Sequence, residues 1–292
     1  MNGEQAGRPI VVGVDGSGSA VAAVRWAAAE AGRRHVPLRL VSAVRPTPVG
    51  EPGLGAEYRQ SMWGYAHDRL TEARAVVAEE AAATAVEDVV LDGNPVSCLL
   101  EQAGSATLVV IGDRGLGGIT GLLLGSVAFG LAARATCPVV VVRGEVPPGG
   151  PVVVGVDGSP VSEAALAFAF EEAGSRGVAL VAVHVWVDTI LHPATAQSWE
   201  WERVEQHQHD ILDGRLAGWG HKYPDVEIRK IIARDRPASV LVEQSAGAQL
   251  LVVGSRGRGG VSGLVLGSVS HAVLHGAECP VAVVRSEEVA PA

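Results

Sequence analysis

Two rhythms of apolar positions alternate along this 292-residue chain. Short, almost wholly apolar runs are followed by longer stretches in which apolar residues recur every three or four positions, the signatures of buried strand and amphipathic helix. Pro9 to Val14 is the first run. It ends at Asp15-Gly16-Ser17, after which Ala20, Ala23, Val24, Ala27, Ala28 and Ala31 keep helical spacing. Leu38 to Val44 predicts a second strand. A Pro/Gly-rich loop, Arg45 to Gly55, precedes a long helix from about Tyr58 to Ala85. Val86 to Leu91, Thr107 to Ile111 and Pro138 to Val142 predict three more strands, separated by helices over Val96 to Ala103 and Ser126 to Ala135. Apolar strands alternating with helices predict crossover connections and a parallel sheet buried on both faces.

The pattern then repeats. VVGVDGS stands at Val11 to Ser17 and again at Val153 to Ser159, and CPVVVVR at Cys137 returns as CPVAVVR at Cys279, both at an offset of 142 residues. Each unit spans about 135 residues, the size of one domain and far beyond a solenoid repeat. The predicted organisation is two tandem domains, residues 1–143 and 151–292, joined by a Pro/Gly linker at 144–150. Strands in the second unit are predicted near Val152 to Val156, Ala179 to Val185, Val226 to Ile232, Gln249 to Val253 and Val281 to Val284. The expected fold class is α/β: two doubly wound domains, each a five-stranded parallel sheet of order 3-2-1-4-5 with helices on both faces.

Chemistry concentrates after the fourth strand of each unit. GDRGLGGITGLLLGS, Gly112 to Ser126, returns as GSRGRGGVSGLVLGS, Gly254 to Ser268, with the frame G-x-x-G, nine residues, G-S in register. A glycine turn leaving a strand presents backbone N–H groups to an anion, and the Gly-Ser step opens a helix whose N-terminus favours phosphate. In a 3-2-1-4-5 sheet, strands one and four flank the switch point where ligands bind. Asp15 and Asp157 follow strand one, so a carboxylate faces each cradle. Gly13 and Gly155 relieve crowding there, and backbone near Ala43 and Val185, at the end of strand two, offers an edge for a base. Simpler readings stand beside these. The frame also suits a plain tight turn; Asp15 and Asp157 suit helix N-caps, although Ser17 or Ser159 can cap instead; Arg114 and Arg256 suit phosphate contact or open solvent.

Other nucleotide motifs fit less well. A P-loop requires a G-K-S/T step, and residues 1–150 contain no lysine. A dinucleotide fingerprint belongs after the first strand. The near-matches at Gly115 and Gly257 follow strand four and carry Thr120 and Ser262 where the last glycine belongs.

V-G-V-D-G-S near the start, G-x-x-G-x(9)-G-S after strand four and C-P-V-x-V-V-R at the end together resemble the universal stress proteins, over nearly the whole chain and twice. The resemblance implies ATP binding in each half, with magnesium as its companion ion. Asp15, Gly112, Gly115, Gly125 and Ser126 carry over as nucleotide contacts in unit 1, and Asp157, Gly254, Gly257, Gly267 and Ser268 in unit 2. It also implies adenine packing at the end of strand two, and pairing of terminal strands across domain or subunit interfaces as a homodimer or pseudo-dimer. Pro138 to Val142 and Val281 to Val284 are the segments that would pair.

Composition narrows the setting. A net charge of −9 without a basic run argues against nucleic-acid binding, which rests on clustered Lys and Arg. Gly121 to Val142 is long enough to cross a bilayer, but Arg134 and Pro138 interrupt it, and its counterpart carries His271, His275 and Glu278; a buried helix and strand are predicted instead. Three cysteines (Cys98, Cys137, Cys279) without a C-x-x-C pair, and a start lacking a leader pattern, make the cytoplasm the expected compartment. The Trp/His-rich stretch Val187 to Gly220 lacks regular metal-ligand spacing and reads as a partly exposed helix face or contact surface. The expected function is therefore a regulatory or stress-response ATP-binding protein, not an enzyme. A slow ATP hydrolase and an interaction module with empty sites are the alternatives, because phosphoryl transfer needs metal ligands and a positioned nucleophile that the spacing does not supply.

Overall fold

The structure, a computed structural model, describes residues 7–45, 54–116, 124–144, 146–186, 201–258 and 266–286. The chain divides into two compact units, Met1–Arg143 and Gly144–Ala292. Unit 1 runs β1 (Ile10–Gly13), α1 (Gly18–Arg34), β2 (Leu38–Val44), α2 (Leu54–Glu80), β3 (Val86–Asp92), α3 (Pro95–Ala103), β4 (Leu108–Gly112), α4 (Ser126–Arg134) and β5 (Val139–Val142). Its strands lie in the order β3-β2-β1-β4-β5, all parallel. Unit 2 runs β6 (Val152–Gly155), α5 (Pro160–Arg176), β7 (Leu180–Trp186), α6 (Trp201–Lys222), β8 (Ile228–Arg234), α7 (Pro237–Ser245), β9 (Leu250–Gly254), α8 (Ser268–Gly276) and β10 (Val281–Val284). Its order, β8-β7-β6-β9-β10, is the same arrangement.

Register repeats as well: Ile10 pairs with Leu38 and Leu108, and Val152 with Leu180 and Leu250. The central strands β1 and β4 are buried at every residue, while β3 and β8 carry charged, half-exposed positions suited to an edge. α1 packs against α2 and α3 against α4, the pairing that right-handed crossovers give by placing one pair on each face of such a sheet. The six apolar positions of α1 that keep helical spacing, Ala20 to Ala31, are all buried. Ser17 caps α1 by accepting from Ala20 N–H at 3.1 Å, and Ser159 caps α5 in the same way.

One helix ends early. The Ala-rich stretch to Ala85 favours helix by propensity, yet α2 stops at Glu80 and a turn closes at Thr84 N–H to Ala81 C=O. The Ala85 carbonyl accepts from Leu38 N–H at 2.8 Å, so pairing with β2 draws the chain into the sheet before the helix can continue. The stretch predicted as helix and strand around Gly121 to Val142 is α4 and β5, and among the described residues no helix is long and apolar enough to cross a membrane. In the Trp/His-rich stretch, α6 carries His207, His209 and Trp219, and the Trp219 ring stacks on Phe170 and lies beside Tyr223. Among the described residues no three His, Cys, Asp or Glu side chains group to hold a metal. His192 and Trp199 lie outside the described residues, as do most of the Arg45 to Gly55 loop and the frame interiors, 117–123 and 259–265.

Candidate functional site

A cavity of about 670 Å3 opens at the carboxyl ends of β1, β2 and β4 in unit 1, where an open α/β sheet takes its ligands. Its floor is Gly13 and Asp15 after β1, Val41 to Arg45 along the end of β2, and Gly112 and Ile111 at the end of β4. Arg114, Gly115, Gly125 and Ser126 of the glycine frame form one wall, with Pro95 and Leu99 of α3 below. The opposite wall is a face of α2: Tyr58, Met62, Tyr65, Ala66 and Arg69.

The frame is held by a carboxylate. Asp15 Oδ1 accepts from Ser17 N–H at 2.9 Å, and Oδ2 accepts from Leu116 N–H at 3.0 Å, across 101 residues of sequence. Asp15 is thus not the helix cap, a part Ser17 plays. It is a staple between the β1 turn and the glycine frame, and it lines the cavity. Gly115 answers this geometry: a Cβ there would lie 2.5 Å from Asp15 Oδ2. Unit 2 repeats the staple. Asp157 accepts from Ser159 N–H at 2.9 Å and from Arg258 N–H at 3.0 Å, and a Cβ on Gly257 would also lie 2.5 Å from Oδ2.

The other frame glycines permit close backbone approach. A Cβ on Gly112 would lie 2.6 Å from Ser19, and one on Gly254 2.9 Å from Val161 Cγ1. Gly125 N–H donates to the Asp113 carbonyl at 2.7 Å, and Gly267 N–H to Ser255 at 2.7 Å, closing both frames. Gly125 and Gly267 then stand as N-caps of α4 and α8 with no side-chain hydrogen bond. The first N–H groups of α4, at Ser126, Val127 and Ala128, are therefore not taken by a cap, and these residues line the cavity. Unsatisfied donors and the positive end of the helix dipole make this a place for an anion. Gly13 and Gly155 relieve crowding from α3 and α7: a Cβ would meet Leu99 Cδ1 and Leu241 Cδ1 at 3.1 Å.

Arg114 is 63% exposed and paired with Asp113 at 3.3 Å, while its backbone carbonyl accepts from Ser19 Oγ at 2.8 Å. Arg256 is half-buried and engaged. Ala43 and Val185 sit at the ends of β2 and β7, and Ala43 lines the cavity. The wall from α2 belongs to no motif. Tyr58, Met62, Tyr65 and Arg69 follow helical spacing, so their common face is readable in the sequence, but nothing there marks it as facing a ligand.

The model of the universal stress protein family matches twice, over residues 7–143 and 150–285. The chain belongs to the universal stress protein family. The universal stress protein Rv2005c of Mycobacterium tuberculosis is 42% identical over 286 residues, spanning 94% of this chain and 96% of its own length. The universal stress protein Rv1996 of the same organism is 41% identical, over 98% of this chain and 97% of its own. Tandem duplication is thus shared with relatives of similar length. A crystal structure of a universal stress protein from Archaeoglobus fulgidus has the same fold, with a TM-score of 0.71 at 20% identity over 95% of this chain and 98% of that one.

Proposed function

We propose that this universal stress protein binds ATP and acts through the bound state, as a regulatory or stress-response protein and not as an enzyme. The observation that carries the reading is the unit 1 cavity. At about 670 Å3 it falls within the range of small-molecule sites, and its two ends differ in chemistry. One end offers the uncapped amides of α4, with Arg114 and Arg69 nearby, and suits phosphates. The other offers the β2 edge at Val41 to Val44 and the half-exposed rings of Tyr58 and Tyr65, and suits a flat base.

Magnesium would ride on the phosphates. Asp15 is the one carboxylate lining the cavity among the described residues, and both of its oxygens already accept backbone N–H groups. An ion there would keep most of its water and bind through the nucleotide. Hydrolysis on this reading is slow and incidental, since Asp15, the one carboxylate lining the cavity among the described residues, is already engaged by two backbone N–H groups. The frame of unit 2 makes a second site the starting expectation. Pairing of chains through terminal strands goes with the same reading, supported by the position of β5 and β10 at a margin of their own unit's strand order, and sedimentation tests it.

The decisive experiment extracts ligand from natively purified protein for mass spectrometry and titrates the stripped chain with ATP by calorimetry. Recovered adenine nucleotide and a saturable heat are expected. Finding neither would remove the reading and favour an interaction module with empty sites.

A further inference from the structure

The two crevices share one backbone plan and differ in what lines them. In unit 1, Ser42 of β2 and Ala66 of α2 are both small, and both face the cavity. At the matching positions of unit 2 stand His184 of β7 and Gln208 of α6. His184 is buried, its Nδ1 2.7 Å from the Val156 carbonyl oxygen and its Nε2 3.0 Å from Gln208 Oε1. An imidazole and a carboxamide thus bridge the end of β6, β7 and α6, where unit 1 has a hydroxymethyl and a methyl group that line the cavity.

Charge differs in the same sense. Arg69 lines the unit 1 cavity, half-buried, with its guanidinium against the Gly16 turn, and it has no hydrogen-bond or ion-pair partner among the described residues. A partly desolvated cation that makes no ion pair among the described residues, set in a cavity beside uncapped helix amides, is arranged to receive an anion. In unit 2 the guanidinium over the equivalent turn, Gly158, comes from Arg215. It is already paired with Glu163, which stands where unit 1 has Val21. Arg258, in place of Leu116, brings a second guanidinium over the same glycine, so two of the protein's own cationic side chains stand at the mouth of this crevice.

We propose that one nucleotide binds per chain, in unit 1, with Arg69 as a phosphate-binding cation outside the glycine frame, and that unit 2 keeps the frame but closes its crevice with His184, Gln208, Arg215 and Arg258. This rests on nucleotide binding in unit 1, and the test separates the two. Calorimetric titration of the full chain with MgATP should give a stoichiometry of one. A stoichiometry of two with similar affinities overturns the single-site inference alone; no binding overturns the reading of the cavity and the inference with it.

Arg69→Gln should weaken binding by about ten- to a hundred-fold, the worth of a hydrogen bond to a charged group, and flatten the salt dependence of affinity; unchanged affinity removes Arg69 from the site. Ser42→His with Ala66→Gln copies the unit 2 closure into unit 1 and should abolish binding while the circular dichroism spectrum and melting temperature stay near those of the parent. The reverse exchange, His184→Ser with Gln208→Ala and Glu163→Val, should raise the stoichiometry toward two. Retained affinity in a folded Ser42→His, Ala66→Gln chain would show that these positions do not control access, and would overturn the closure argument even if the reverse variant fails to fold.

Discussion

Replacing Gly115 with Ala is the sharpest test of how the cleft is built. The added Cβ would sit 2.5 Å from Asp15 Oδ2, a distance that real Cβ contacts essentially never show, and Asp15 is held from its other side by Ser17 N–H at 2.9 Å. Relieving that contact moves the carboxylate or the frame, and either movement disturbs the 3.0 Å bond from Leu116 N–H that ties the glycine frame to the β1 turn. A hydrogen bond to a charged group is worth about 1.5–3 kcal/mol. If the frame needs that tie to aim its amides, ATP affinity falls about ten- to a hundred-fold. Calorimetry on the purified variant reads the loss, and a double-mutant cycle with Asp15→Ala isolates its cause: with the carboxylate gone, Gly115→Ala should cost little more. An alanine variant that binds ATP within two-fold of the parent would refute the argument that Asp15 positions the frame. So would additive losses in the cycle.

Three further outcomes follow from local geometry. Ser17→Ala removes the oxygen that accepts from Ala20 N–H and should destabilise unit 1 by about 1 kcal/mol, measured by urea denaturation; an unchanged midpoint would show that the cap contributes nothing. Arg176→Met leaves Glu172, which is fully buried, without the guanidinium 2.7 Å away, and should cost about 3–5 kcal/mol, visible as a separate early unfolding step; a single transition at the parental midpoint would refute it. Burial pushes the Cys137 thiol from its ordinary 9.0 up to about 12, and burial likewise raises that of Cys98, with Glu101 adding to it. Native protein at pH 8 should therefore resist iodoacetamide at both and react fully once unfolded, as mass spectrometry would read. The sign carries into stability. Above pH 9 the unfolded Cys137 thiol loses its proton while the folded one keeps it, so the contribution is intact below pH 9 and is lost as pH rises toward 12.

Much of the fold was legible because it rests on local rhythm. All six positions of the Ala20 to Ala31 spacing are buried in α1, although the spacing leaves out Trp26 and Glu30 of the same buried face, and the bounds of β2 are those of its apolar run. Duplication makes the sheet order readable twice. What escaped depends on partners distant in sequence. Ala85 lies in a helix-favouring run, and only its bond to Leu38 places it outside α2. From sequence Asp15 suits a ligand contact or a cap, whereas both of its oxygens are engaged by backbone, one of them 101 residues away. The face of α2 carrying Tyr58, Met62, Tyr65 and Arg69 follows plain helical spacing, and its role depends on the cavity it meets.

The staple also changes what the glycine frame can be taken to mean. Asp15, Gly115 and the Leu116 amide form the same closed arrangement as Asp157, Gly257 and the Arg258 amide, bond for bond, although one crevice is lined by Ser42 and Ala66 and the other carries His184, Gln208, Arg215 and Arg258. An arrangement kept under both conditions serves the strand ends it joins, whether or not a ligand lies between them. Its glycine is required by the carboxylate's approach before it is required by any phosphate. Counting frames therefore counts folded units. The number of binding sites turns on side chains outside the frame, at positions such as Ser42 and His184 or Ala66 and Gln208, where the two units part.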